Sequence, residues 1–433
     1  MTRRAAALLA LVVLGATTLA PAAAAPTTVV DLGGARAYVR ADAVANLVVL
    51  QLYVGAGLDR QTPQQNGLAA LVAESVLQTP VAPNGPALRD AVDAAGGALA
   101  FVITPQNVRF SLQGTPDAIA GAAPLLAHAL AAPSFAPATL ASARAALGGR
   151  IAAQDSDARF VVLQMLRESY YRDGAGFPAF GNAGSLTAFA PSDAQAFYAA
   201  WYRRGDAFVA AAGRTGAPTD AAGRILVGAL PAGSGAAPVL ASRPFAAETK
   251  RIVTHRDVVA PYVGVGFAAP PLGDPDFAAA LVMRALLHGV FERSGATTPL
   301  LMFSTAGSLY GYETSPAQFV LWINGDQIDP SVGLGAVIAL LKGAATKPFS
   351  PAVLGRYKET ARGEWALETL SLDDRATAVG SAVARGLDAD AADTVPAAIA
   401  AVTPADVERV AKKYFQKFDV ALVMPRAAGS DGG

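Results

Sequence analysis

Hydrophobic and polar positions alternate along the chain at two different periods, and the change of period marks out its elements. Asn46 to Ala56 alternates into an apolar strand, and Ala98 to Thr104 with Asn107 to Gly114 reads as a hairpin pair. Apolar positions at helical spacing occupy Asn66 to Gln78, Pro116 to Ala131, Pro137 to Gln154 and Ala158 to Arg172. The second half offers strands at Pro261 to Ala268, Ser308 to Thr314 and Ala317 to Asn324. Its helices are expected near Pro275 to Phe291, Pro330 to Ala345, Pro351 to Leu370 and Pro404 to Phe415. Runs of helix between antiparallel strands predict an α+β fold, each half an antiparallel-rich sheet with helices packed on one side.

The chain also repeats itself at long range. Phe135-Ala136-Pro137-Ala138-Thr139-Leu140 and Phe349-Ser350-Pro351-Ala352-Val353-Leu354 both read F-x-P-x-x-L. A proline in the first helical turn has its φ preset and needs no N–H donor, so it starts a helix well. Further on, Pro191, Asp193, Trp201, Tyr202 and Asp206 correspond to Pro404, Asp406, Tyr414, Phe415 and Asp419, with identical internal spacing. Each segment reads as a Pro-started amphipathic helix, a turn at the Asp, then a strand (Ala207 to Ala212; Val420 to Met424). Two such matches in the same order favour a duplicated domain.

Length agrees: 433 residues exceed one ordinary core, and two domains of about 200 residues are expected. Arg3, Arg4, the apolar run Ala5 to Leu19 and the small residues before Ala25 read as a secretory signal. The organisation expected is a signal peptide over 1–25, an N-terminal domain over 26–227, a Gly/Pro/Ala-rich linker over 228–245 and a C-terminal domain over 246–433. The mature chain is expected in the periplasm. Zero Cys excludes disulfides, thiolate zinc sites and Cys nucleophiles. Formal net charge is zero with no Lys/Arg run, so no nucleic-acid footprint is present, and no later apolar stretch is long enough to span a membrane.

Two stretches carry a family resemblance. Val49-Leu50-Gln51-Leu52-Tyr53-Val54-Gly55-Ala56-Gly57 followed by Asn66-Gly67-Leu68-Ala69-Ala70-Leu71-Val72-Ala73-Glu74-Ser75 resembles the opening of the pitrilysin/insulinase-type (M16) peptidases. There an N-G-[LI]-A helix start leads into an H-x-x-E-H zinc motif. Gly181 to Gly213 is similar to the family's G-x-x-x-S-[LI] element, aromatic helix and strand. The resemblance covers essentially the whole mature chain and implies two homologous M16-type domains.

Laid on this chain, the motif's first His position is Ala70, its base position Ala73 and its second His position Glu74. The family's third ligand, a Glu about 75 residues later by the resemblance, falls near Arg150 or Ile151. Two His at i and i+4 share a helix face and bind one Zn²⁺, with a Glu activating the bound water. Ala70 has no ligand atom, Ala73 no proton acceptor and Arg150 the wrong charge. Glu74 reads as a solvent-facing or paired helix carboxylate. The three histidines are scattered. His128 reads as a core or boundary residue, His255 as a surface residue, and His288 as one near a helix end with a capping or dipole role. No G-x-S-x-G elbow, phosphate loop or complete GxGxxG occurs. Gly264-Val265-Gly266 reads as a strand position, and Asp373-Asp374 as a helix N-terminus.

The resemblance therefore implies a non-catalytic subunit with no cofactor of its own, zinc being expected only in an active H-x-x-E-H partner. In such two-chain enzymes the zinc-less subunit often supplies an Arg and a Tyr in a pattern like R-x-x-x-G-L-x-Y. Here Met302 to Tyr312 offers Tyr310 or Tyr312 for substrate binding but lacks the Arg, with Phe303 or Thr305 in its place. The resemblance leaves two partners open: an active M16 chain in a heterodimer, or a second copy of this chain in an inert peptide-binding or scaffold homodimer. Peptides are the implied substrates.

Overall fold

The computed structural model describes residues 26–171, 174–235, 250–297, 305–311, 317–324 and 350–426, with residues 335, 339 and 343 helical between them. The N-terminal half comprises β1 (Thr28–Asp31), β2 (Arg36–Ala41), β3 (Val48–Val54), α1 (Leu68–Gln78), α2 (Leu88–Ala94), β4 (Ala98–Ile103), β5 (Val108–Gly114), α3 (Pro116–Ala131), α4 (Pro137–Ser156), α5 (Ala158–Tyr170), α6 (Ala183–Ala188), α7 (Pro191–Trp201), β6 (Ala207–Gly213) and α8 (Ala217–Ala229). The C-terminal half comprises β7 (Arg251–Arg256), β8 (Tyr262–Ala269), α9 (Phe277–Thr297), β9 (Thr305–Gly311), β10 (Ala317–Asn324), α10 (Pro351–Glu368), α11 (Leu372–Ala384), α12 (Val395–Ala401), α13 (Pro404–Tyr414) and β11 (Phe418–Pro425). The signal segment 1–25 and linker residues 236–245 lie outside the described residues, and Gly228 and Ala229 end α8. The helix expected over 330–345 lies outside them too, apart from those three positions, and the strand expected from Ser308 begins three residues earlier.

The duplication appears as topology. One sheet runs β1-β2-β6-β3-β5-β4 and the other β7-β11-β8-β10-β9. Dropping β1 makes them equivalent strand for strand. In each, the second strand joins the first in parallel (β2–β6, β7–β11), and the remaining pairs are antiparallel. The paired Pro-started segments do the same work. Asp193 accepts from the backbone N–H of Ala190 at 2.7 Å, and Asp406 from that of Thr403 at 2.9 Å. Asp206 and Asp419 then each accept from a distant backbone N–H, that of Gly235 after α8 and that of Lys250 just ahead of β7.

Each half lays its own helices on one sheet face, as the pattern predicts. Val48, Leu50, Leu52 and Val54 face a core with α1, α3 and α4, while Val263, Val265 and Phe267 face α9, α10 and α13. The opposite face is not left to water. Helix α5, from the N-terminal half, covers β8 and β11 of the second sheet through Val162 and Leu166. Helix α11, from the C-terminal half, covers β3 and β6 of the first through Ala376 and Val379. The halves thus trade helices. All seven residues of β3 are buried because both of its faces are covered.

Glycines make the trade close. A Cβ on Gly264 of β8 would stand 2.2 Å from Val162 of α5, and one on Gly380 of α11 would stand 2.2 Å from Tyr53 of β3. Polar clamps fix the register. Asp373 accepts from Gln51 (2.9 Å), Ser111 (3.0 Å) and Gln113 (3.1 Å), while Ser371 and Asp374 cap α11, as the acidic pair predicts. Arg40, 6% exposed, pairs with Asp390 and Asp393 at 2.7 and 2.8 Å.

Candidate functional site

The degenerate motif lies on α1, and the sequence ahead of that helix explains its placement. The Gln61 side chain accepts the N–H of Ala69 at 3.0 Å, supplying one of the partners a helix start lacks. Gly67 enters the helix at φ +99°, a conformation favouring glycine. Gly181 (φ +71°) packs against it: a Cβ on Gly181 would stand 2.7 Å from the Gly67 Cα. Asn66 Nδ2 donates to the Pro178 carbonyl at 3.1 Å. The two stretches that carry the family resemblance, about Asn66-Gly67 and about Gly181, therefore touch.

From Leu68 to Leu77 every residue of α1 is buried. Ala70 and Ala73 present methyl groups to the core and are fully enclosed. Glu74 is not solvent-facing; it is paired, and its side chain is 0% exposed. A carboxylate with no access to water must be compensated, since desolvation of an unpaired charge costs several kcal/mol. Two guanidinium groups compensate it. Arg89 lies 3.1 Å from Oε1, Arg150 lies 3.4 Å from Oε2, and Gln78 Nε2 donates to Oε1 at 2.9 Å. Arg150 reaches across from α4, its guanidinium 4.9 Å from the ring of Phe101 and 5.4 Å from that of Phe180. Ile151 packs in the core instead.

Two positions where the family would hold its metal, Glu74 and Arg150, thus meet as an ion pair, while the first ligand position, Ala70, and the base position, Ala73, are methyl groups. Zinc does not fit this donor set: the one carboxylate is already held by two cations. Among the described residues no group of three or more His, Asp or Glu is placed to hold a metal ion. His128 lies on the exposed face of α3, not in a core, and His255 is exposed on β7. Tyr310 lies in β9 in register with Phe319, and Tyr312 lies outside the described residues.

The C-terminal half carries a counterpart. Residues 66–77 form one unbroken buried run and 276–287 another, each followed by a half-buried residue, Gln78 or His288. In that register Arg284 stands where Glu74 does, each eight residues into its run. Glu364 follows Phe349 by fifteen residues, as Arg150 follows Phe135. The charges are inverted. Arg284, its side chain 5% exposed, donates Nε to Glu364 at 3.2 Å and lies 2.6 Å from Glu368. His288 is not at a helix end, because α9 continues to Thr297. It bridges inside this cluster, Nδ1 to Glu364 at 3.1 Å and Nε2 to Ser308 Oγ at 2.6 Å. Burial pushes the Glu364 carboxyl up, but the His288 hydrogen bond and the Arg284 charge outweigh it and leave the group below the ordinary carboxylate range. The charge inversion was invisible in the sequence until the two helix pairs were put in register.

A family profile for insulinase (peptidase family M16) matches residues 36–180, the stretch from β2 to the Gly181 turn. Over that stretch the chain is similar to peptidase family M16. The family's H-x-x-E-H is absent from it, and the structure puts an ion pair in its place. The M16 fold extends beyond the matched stretch. A protease from Helicobacter pylori superposes with a TM-score of 0.81 at 15% identity, covering 93% of this chain and 100% of that one. A peptidase M16 inactive domain from Pseudomonas fluorescens superposes with a TM-score of 0.79 at 16% identity, covering 93% and 99%. A chain of Complex III2 from Candida albicans, with Inz-5 bound, gives 0.75 at 15%, covering 92% and 95%. Curated protein sequences yield no match.

Proposed function

We propose that this M16 chain is the non-catalytic subunit of a two-chain zinc peptidase, exported to the periplasm, where it helps enclose and bind peptides for a partner with an intact H-x-x-E-H. The observation that carries the reading is the Glu74–Arg150 pair: the fold of a peptidase is kept while its metal position is closed by a salt bridge. Substrate capture survives such a change and hydrolysis does not. The inactive M16 domain from Pseudomonas fluorescens, with the same fold, supports it. Tyr310 or Tyr312 is assigned to the substrate, a hydroxyl holding a peptide carbonyl near the partner's zinc.

Purified alone with zinc added, the chain is expected to hydrolyse no peptide. With an H-x-x-E-H chain added it is expected to co-purify and to lower that chain's KM for peptides. Tightly held stoichiometric zinc with cleavage by this chain alone would overturn the reading. The second reading, an inert scaffold or peptide-binding homodimer, draws on the Complex III2 chain of the same fold. A self-dimer that takes up no M16 partner would establish it instead.

A further inference from the structure

The cluster around His288 does more than balance charge. Its atoms stand in the order a nucleophilic serine needs. A carboxylate, Glu364, accepts from His288 Nδ1 at 3.1 Å, so that nitrogen carries the proton. In the neutral ring Nε2 is then a free lone pair, and Ser308 Oγ lies 2.6 Å from it, placed to donate. Arg284 holds the other oxygen of Glu364 at 3.2 Å, which fixes the carboxylate and through it the ring plane. Nucleophile, base and orienting acid come from β9, α9 and α10, so the arrangement is built by packing rather than by sequence proximity. The family's metal position is in the other half, and this cluster shares no residue with it.

Access and electrostatics also suit the role. His288 and Glu364 have side chains 29% and 23% exposed, and Ser308 is half-buried. Among the described residues no strand pairs with the outer side of β9, the last strand of its sheet. Every second residue of such an edge turns its N–H away from the ladder.

We infer that Ser308 is an activated nucleophile, with His288 as its general base and Glu364 as the positioning residue, able to take the acyl group of a small activated carboxylic ester. Ser308 Oγ attacks the acyl carbon as its proton passes to His288 Nε2. The adduct expels the alcohol or phenol oxygen, which takes that proton, so the ester C–O bond breaks and an acyl-serine forms. Water then attacks the acyl carbon, giving a proton to Nε2. That proton returns to Ser308 Oγ as the acyl–serine bond breaks and the acid leaves.

The test is covalent labelling of the purified full chain with a fluorophosphonate probe, read by intact mass and peptide mapping, alongside hydrolysis of p-nitrophenyl acetate. The expected result is one phosphonate per chain on Ser308, lost in Ser308→Ala and in urea. His288→Gln should slow labelling about 100-fold or more, the loss of a general base. Glu364→Gln should slow it less, with no change in the thermal midpoint large enough to indicate unfolding. The wild-type protein decides even if a variant fails to fold: Ser308 left unmodified, or modified no faster than exposed Ser192, overturns the assignment. So does labelling of Ser308 at an unchanged rate in folded His288→Gln.

Discussion

The helix pair α1/α4 and the helix pair α9/α10 occupy equivalent places in their halves and carry opposite charge patterns. In the first, a fully buried carboxylate sits inside and two arginines approach from the rim. In the second, a buried guanidinium sits inside and two glutamates approach from the rim. Packing between these helices therefore tolerates an interior charge of either sign, provided that it is matched. Metal chemistry is stricter, because it needs neutral imidazoles and anions about one cation. The first pair holds a matched charge where the resemblance would put a metal. Where the first has Gln78 turned back on Glu74, the second has His288, which reaches Ser308 of β9.

The largest effect that would break this comparison comes from stripping the rim charges. Arg89→Ala with Arg150→Ala leaves Glu74 buried with no cation beside it and should cost about 3–5 kcal/mol; Glu364→Ala with Glu368→Ala should cost the buried Arg284 about as much. Urea unfolding of the two double variants checks this, and a loss under about 1 kcal/mol in either half would show that its pair is not the compensated charge described. Smaller, and aimed at the traded helices, are Gly264→Val and Gly380→Ala. Each forces a side chain into a contact that is already closed and should cost about 1–3 kcal/mol, with both halves losing stability together. Independent melting of the halves would contradict it.

The smallest effect concerns the repeated helix starts. Thr403 caps α13 with its hydroxyl, whereas Ala190 offers α7 none, so Thr403→Ala should cost about 1 kcal/mol and bring the two starts level. Hydrogen bonds from Thr403 and then Arg409 pull the Asp406 carboxyl down to about 2 from 3.8. Because the folded value is depressed, its stabilisation is whole above the ordinary carboxylate range and fades as pH falls toward about 2. Acid titration of stability should show less of this dependence in Thr403→Ala.

Much of the fold was legible because its signals are local. The proline at each repeated helix start, the hairpin at Ala98 to Gly114 and the paired Asp193 and Asp406 caps all act within a few residues. That Ala70 offers no zinc donor and Ala73 no proton acceptor was equally plain. What replaced them was not. Glu74, Arg89 and Arg150 are brought together only by the packing of α1, α2 and α4, and no spacing rule links them. The traded helices escaped for the same reason. The glycine-containing strand around Gly264 was readable as a strand, but that its missing Cβ makes room for Val162 is a contact about 100 residues away. His288 was misplaced because its helix runs past the expected end.

Trading α5 for α11 ties the halves of this chain as the members of an intertwined dimer are tied, with a peptide link added. Neither half can swing outward without pulling a helix off the other's sheet and wetting Val162, Leu166, Ala376 and Val379. Opening between the halves therefore carries the cost of exposing both of those contacts at once.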